Sequence, residues 1–318
     1  MQSMSTNRHS LLANKPMSMR EGGTKRYNNN NNSTSIYKFK TVRCHPRGND
    51  TKNKLSCYTR HNLLMLADLW NKRHPDQPPI KTKNPTVIWK HLKTVFGDSC
   101  DTEMCWLNQL SLHPSHRAFK KLMNAFAPLA PSSWNNNPNE WLSSVDIANV
   151  MQQYEEKYKC FDFIGPSPLD GMLKLANKQC VFPELCNFNI DSYKKEGIWK
   201  IGIIFNTDKH DEPGSHWVSV FINIRKKRAF YYDSAGDPAP DEIKTWIHKC
   251  VCSPPHNFKY DENAPIVHQH TTTECGMYAL YFIVHMLEDK LSAQYLKTHN
   301  IKDEYIAKFR AVYFNKLA

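Results

Sequence analysis

From Cys275 to Leu287 the chain reads Cys-Gly-Met-Tyr-Ala-Leu-Tyr-Phe-Ile-Val-His-Met-Leu, and few folds can house such a segment. Met277, Leu280, Tyr281, Val284 and Leu287 recur at helical spacing, while Phe282, Ile283 and Met286 cover the opposite side. A helix apolar nearly all round is a buried helix, so the rest of the chain has to enclose it. Its first turn would contain Cys275. Unpaired backbone N–H groups and the helix dipole favour negative charge there, and a thiol so placed is biased toward the nucleophilic thiolate. For a lone cysteine on an apolar helix, a buried structural role is the commoner reading. The remaining residues have to decide.

A thiolate nucleophile needs a base, and the base needs an orienting group. Two β-prone runs, Gly214–Ile224 and Ala229–Ser234, are joined by the basic turn Arg225-Lys226-Lys227-Arg228, which reads as a hairpin. His216 opens the first strand and Asp233 closes the second, so antiparallel pairing brings them to one end. A turn centred near Ile224 and Arg225 makes them face each other; a centre nearer Lys226 offsets them by a few residues. Gln269 precedes Cys275 by six residues and could aim its amide at a developing oxyanion, with the backbone N–H of Cys275 as the second donor.

The order His216-Trp217, then Tyr232-Asp233-Ser234, then Gln269-x5-Cys275-Gly276 resembles the SUMO-specific and adenovirus-type cysteine proteases. The resemblance implies His216 as base, Asp233 as its orienter, Gln269 as oxyanion donor and Cys275 as nucleophile. It implies an α+β fold with a papain-like or adenain-like core, a mixed central sheet packed on the nucleophile helix. Glu274 stands where the cellular enzymes commonly carry Asp. Trp141-Leu142 is similar to the family's entry element, in which a Trp corresponding to Trp141 closes over the substrate with one corresponding to Trp217. Such a passage admits only residues without a Cβ, which implies cleavage after Gly-Gly. Ser143-Ser144 replaces the family's Asn-Asp, which leaves recognition of SUMO open. Gly165–Asp170, Lys200–Asp208 and the arrangement from Lys83 to Leu107 look like the branch from large cytoplasmic DNA viruses, including the African swine fever virus type. That likeness implies an endopeptidase that matures virion structural proteins, placed in the virion and host cytoplasm. The alternative is a cytoplasmic or nuclear deconjugase for SUMO or another ubiquitin-like modifier, and a third reading is a binding module that kept the fold without the chemistry.

The 318 residues suffice for a catalytic domain, expected over 131–318, and a small helical arm over 55–130. In the arm, Leu63–Trp70 and Thr86–Phe96 read as helices, the second with Val87, Ile88, Leu92, Val95 and Phe96 inward. Glu103–Leu107 and Ala118–Phe126 read as shorter elements. Residues 1–54 form a basic, Asn-rich tail: residues 1–60 hold twelve Lys and Arg against two acids, most of the net charge of +12. Such a segment reads as disordered and suits nucleic acid or an acidic partner, or nothing specific. The longest apolar run is too short to span a bilayer, and Met1–Ser10 lacks a signal-peptide core. Ten cysteines read as reduced thiols rather than a disulfide framework, and their spacings make no convincing zinc site. No cofactor motif is present: the chain lacks a Gly-x-Ser-x-Gly elbow, a phosphate-binding Gly loop and a metalloprotease His pair.

Overall fold

The computed structural model describes residues 42–50, 55–110, 113 and 115–316. At its centre is a five-stranded sheet in the order β1 (Phe161–Ser167), β2 (Lys200–Asn206), β3 (Trp217–Asn223), β4 (Arg228–Tyr232) and β5 (Lys259–Glu262). The outer pairs β1–β2 and β4–β5 are parallel, and the inner pairs are antiparallel, so the sheet is mixed and the fold is α+β.

Every residue of β3 is buried, because the strand packs on both faces. Its alternation sorts the two cores. Trp217 and Phe221 face one way, while Val218, Val220 and Ile222 face the other. The first face meets the apolar segment that opened the sequence, a helix spanning Cys275–Leu287, with eleven residues buried. Burying each large apolar side chain contributes roughly 1.5–3 kcal/mol, which makes this contact the main reason the sheet closes. Close approach requires Gly202 in β2: a Cβ there would lie 2.7 Å from Ile283 Cγ2. Ser144–Lys157 forms a second helix in the same core, started by a capping box between Ser143 and Asp146. Short helices at Pro183–Cys186, Ile190–Lys195 and Asp241–Ile247 cover the other face. Three more at Ala293–Leu296, Asp303–Ala307 and Arg310–Tyr313 return the C-terminal segment to the first core.

The N-terminal helices Arg60–Arg73, Pro85–Phe96, Trp106–Gln109 and Arg117–Met123 enclose their own apolar cluster around Leu66, Ile88, Leu92 and Trp106. In Pro85–Phe96 the inward face is Ile88, Trp89, Leu92 and Phe96. Val87 and Val95, expected inside, are exposed: Val87 lies about 100° round the helix from Ile88, the near edge of that stripe, and Val95 about 20° outside the same edge.

Two further expectations change. Residues 42–48, assigned by composition to the tail, are packed. Asn315 Oδ1 accepts from the Arg43 N–H (2.6 Å), and Asn315 Nδ2 donates to the carbonyls of Arg43 (2.8 Å) and Ala127 (3.0 Å). Arg47 pairs with Glu156 at 3.3 Å. The remainder of the basic tail, residues 1–41 and 51–54, lies outside the described residues. The cysteines are not all free thiols either: Cys44–Cys57, Cys100–Cys105 and Cys180–Cys186 form disulfides, leaving Cys160, Cys250, Cys252 and Cys275. Each pair lies within thirteen residues of sequence, so local turns bring the Cα atoms within bridging range. Among the described residues no helix is long and apolar enough to cross a membrane.

Candidate active site

His216 sits immediately before β3 and Asp233 immediately after β4. The register pairs Ser219 with Tyr232 and Asn223 with Arg228, which centres the turn between Arg225 and Lys226. The two residues are therefore offset by two positions, the second of the arrangements the sequence allows. The imidazole spans the offset, and its Nε2 meets Asp233 Oδ1 at 2.7 Å. The thiol of Cys275 is the ring's other polar neighbour, and it acts on the imidazole together with Asp233. Cys275 is the first residue of its helix, as the apolar pattern predicts. The N–H groups of that first turn have no acceptor within the helix.

The electrostatics follow from this packing. Burial disfavours the imidazolium of His216, but its interactions with the side chains of Asp233 and Cys275 outweigh that cost and push the group up to about 10. The neighbouring imidazole behaves in the opposite way. His268 is fully buried, accepts from the Ile301 N–H at 3.2 Å, and is pushed down to about 4 by desolvation. It is a neutral core histidine. Of the other free thiols, Cys250 and Cys252 are raised above the ordinary thiol value by burial.

The family model described as the Ulp1 protease family, C-terminal catalytic domain, matches residues 196–317, a span that contains all of these groups. A thiol protease of Acanthamoeba polyphaga mimivirus is 30% identical over 294 residues, covering 85% of this chain and 92% of its own. The chain belongs to the Ulp1 family of cysteine proteases. It is a cysteine peptidase. A cysteine protease of African swine fever virus is 27% identical over 241 residues, 68% of this chain and 83% of that one. The crystal structure of the African swine fever virus pS273R protease superposes with a TM-score of 0.60 at 22% identity, covering 87% of this chain and 96% of that one, which shows a shared fold.

Within the protease, Gln269 is anchored from both ends of its amide. Its Oε1 accepts from Ser234 Oγ (2.8 Å) and its Nε2 donates to the Thr271 carbonyl (2.6 Å), leaving the second N–H for an oxygen outside this network. The backbone N–H groups of His268 and Gln269 both donate to the Ser234 carbonyl, at 2.9 and 2.8 Å. Ser234, the residue next to Asp233, thus ties the segment bearing Gln269 to the end of β4.

Trp217 is buried and Trp141 is 43% exposed. The Trp217 Nε1–H donates to the Leu142 carbonyl at 3.0 Å, which ties the segment carrying Trp141 to the strand that follows His216. Both tryptophans line a cleft of about 550 Å³ with Leu142, Ser143, Ser144, Pro168 and Gly214. The structure places His216 against Asp233 and Cys275 at the start of its helix beside them, and it sets the two tryptophans on one cleft.

Asn263 is the residue it misses. Fully buried, it accepts from the Asp233 N–H (2.9 Å) and donates to the Asp233 carbonyl (2.7 Å) and the Ile266 carbonyl (3.0 Å), fixing the backbone that aims the carboxylate. A single Asn thirty residues downstream carries no sequence signal for this. Gly276 had no assigned role either. A Cβ there would meet Leu142 Cβ at 3.0 Å, so the glycine lets the segment carrying Leu142 lie directly on the turn that bears Cys275.

Proposed function

We propose that the protease is a viral endopeptidase that cleaves after Gly-Gly, using Cys275 as nucleophile, His216 as proton carrier, Asp233 as its orienter and Gln269 as oxyanion donor. The observation that carries the chemistry is the His216 imidazole held 2.7 Å from the buried carboxylate of Asp233, beside the thiol at the start of a buried helix. With His216 protonated, the thiolate of Cys275 attacks the scissile carbonyl and the oxyanion is met by the Gln269 amide and the N–H of Cys275. The imidazolium gives its proton to the leaving amine, and the neutral imidazole then takes one from the water that releases the acyl group. Each oxyanion donor of this kind is typically worth about 100- to 1000-fold in rate.

Selection of glycine rests on the cleft. The exposed indole of Trp141 and the pinned Trp217 line one cleft, and two indoles closing over a peptide backbone would leave no room for a Cβ. The relatives come from large DNA viruses, and the role proposed on that origin is the maturation of virion structural proteins, in the virion and infected-cell cytoplasm. The basic residues 1–41 fall outside the described residues, and a contact there with nucleic acid or an acidic partner rests on charge alone.

Peptides differing only as Gly-Gly and Gly-Ala before the cut test this reading. Wild type should cut Gly-Gly at least about tenfold faster, and Trp141→Ala should narrow that ratio with the melting temperature unchanged, since its indole is 43% exposed. Equal rates on the two peptides in wild type would remove the passage. Cleavage only at the tail of a folded ubiquitin-like protein would replace the endopeptidase with a deconjugase.

A further inference from the structure

The segment 140–143 is held at three points, and one of them is a residue far down the chain. Leu142 lies on Gly276, and the Leu142 carbonyl accepts from Trp217 Nε1. The third point is Arg310. Its Nη2 donates to the Glu140 carbonyl at 2.9 Å and pairs with Glu274 Oε1 at 3.1 Å, while its Nε meets both Glu274 oxygens at 3.1–3.2 Å. The Trp134 ring lies over the guanidinium at 4.4 Å. Arg310 and Glu274 are both buried, at 9% and 3% exposure. Glu274 immediately precedes the nucleophile, and its carbonyl accepts from the Tyr278 N–H to close the first helical turn.

One planar fork therefore joins two things that substrate must find in register: the turn bearing Cys275 and the strap bearing Trp141. A lysine could neutralise Glu274, but its single ammonium lacks the fork geometry that serves both acceptors at once. We propose that Arg310 is a positioning residue for substrate, holding the Trp141 strap at a fixed distance from Cys275. This rests on the roles given above to Cys275 and Trp141. The helix bearing Cys275 is held independently by its packing on the sheet, and His216 by Asp233. Loosening the strap should thus weaken substrate capture while leaving the nucleophile's own reactivity in place.

The test separates those two quantities. Arg310→Lys is compared with wild type for kcat and KM on a Gly-Gly peptide, and for the alkylation rate of Cys275 by iodoacetamide, which does not need the strap. Glu274→Met combined with Arg310→Met serves as a second variant, because replacing a buried ion pair by apolar side chains is often neutral for stability. Both should show KM raised about 5- to 20-fold with kcat changed less than about threefold, and alkylation within about twofold of wild type. The same KM as wild type in either folded variant would overturn the proposal. Alkylation falling in step with kcat/KM would also overturn it, since Arg310 would then serve the nucleophile's helix and not the strap. Cleavage by Cys275→Ala would instead sink the underlying assignment of the nucleophile, and the strap with it.

Discussion

Replacing Asp233 by Asn keeps the shape of the side chain and removes its charge. In the folded protein the His216 side chain is 24% exposed and that of Asp233 4%, with 2.7 Å between the paired atoms. His216 stands at about 10. Against an ordinary value near 6.5, that is about 3000-fold in proton affinity, or roughly 5 kcal/mol. The figure is a balance: burial works against the imidazolium, and Asp233 and Cys275 together override it. An opposite charge at such a distance accounts for about 1 to 3 pH units. The folded value is raised, so the stabilisation is fully present below pH 6.5 and is lost as pH rises through about 10. In D233N the upper edge of that window should fall by about 1 to 3 pH units, with roughly 1.5–4 kcal/mol less stability at or below pH 6.5. Turnover should fall about 10²- to 10⁴-fold, because the imidazole loses both its orienter and its charge partner. The assay is kcat/KM on a fluorogenic Gly-Gly peptide from pH 5 to 11, alongside thermal melts at the same pH values. Wild type should hold its activity until near pH 10, where the imidazolium is lost. A D233N profile with the same alkaline limb as wild type would refute the argument, whatever the loss in rate.

Two more outcomes are expected. Gly276→Ala places a Cβ 3.0 Å from Leu142 Cβ and should lift the strap, raising KM for the Gly-Gly peptide and costing about 1–3 kcal/mol in denaturant unfolding; an unchanged KM would show that the contact does not set the cleft. Deleting residues 1–41 removes seven Lys and Arg against one acid and none of the catalytic set, so short-peptide cleavage should stay near wild type while binding to nucleic acid becomes weaker and less salt-dependent; a truncated enzyme inactive on short peptides would show that this segment completes the site.

What the sequence conveys about this site depends on how far apart the partners lie. The helix at Cys275 is legible because its pattern is local and unusually apolar, and the hairpin is legible because two β-prone runs flank a short turn. Even there, two residues of register decide whether His216 and Asp233 face or are offset, and only the observed pairing of Ser219 with Tyr232 fixes it. The helical arm is readable in outline, but Val87 and Val95 show that an apolar side chain off the buried stripe can be exposed. Contacts across the whole chain were out of reach. Nothing about Arg43 points to Asn315, 272 residues away, and nothing about Glu274 points to Arg310. The cysteine pairs fall between these cases: their spacing is visible, but compartment statistics favour thiols, and the fold decides otherwise.

The measurement that bears most directly on the chemistry uses a short peptide ending in Gly-Gly with a vinyl ester in place of the scissile bond. A thiolate adds to the vinyl carbon and stays attached as a thioether, so peptide mapping by mass spectrometry identifies the nucleophile. The protein has four free cysteines, Cys160, Cys250, Cys252 and Cys275. The account predicts one adduct per chain, on Cys275, absent from Cys275→Ala and formed at least about 100-fold more slowly in His216→Ala. An adduct on Cys160, Cys250 or Cys252, or one that forms on Cys275 equally fast without His216, would contradict it.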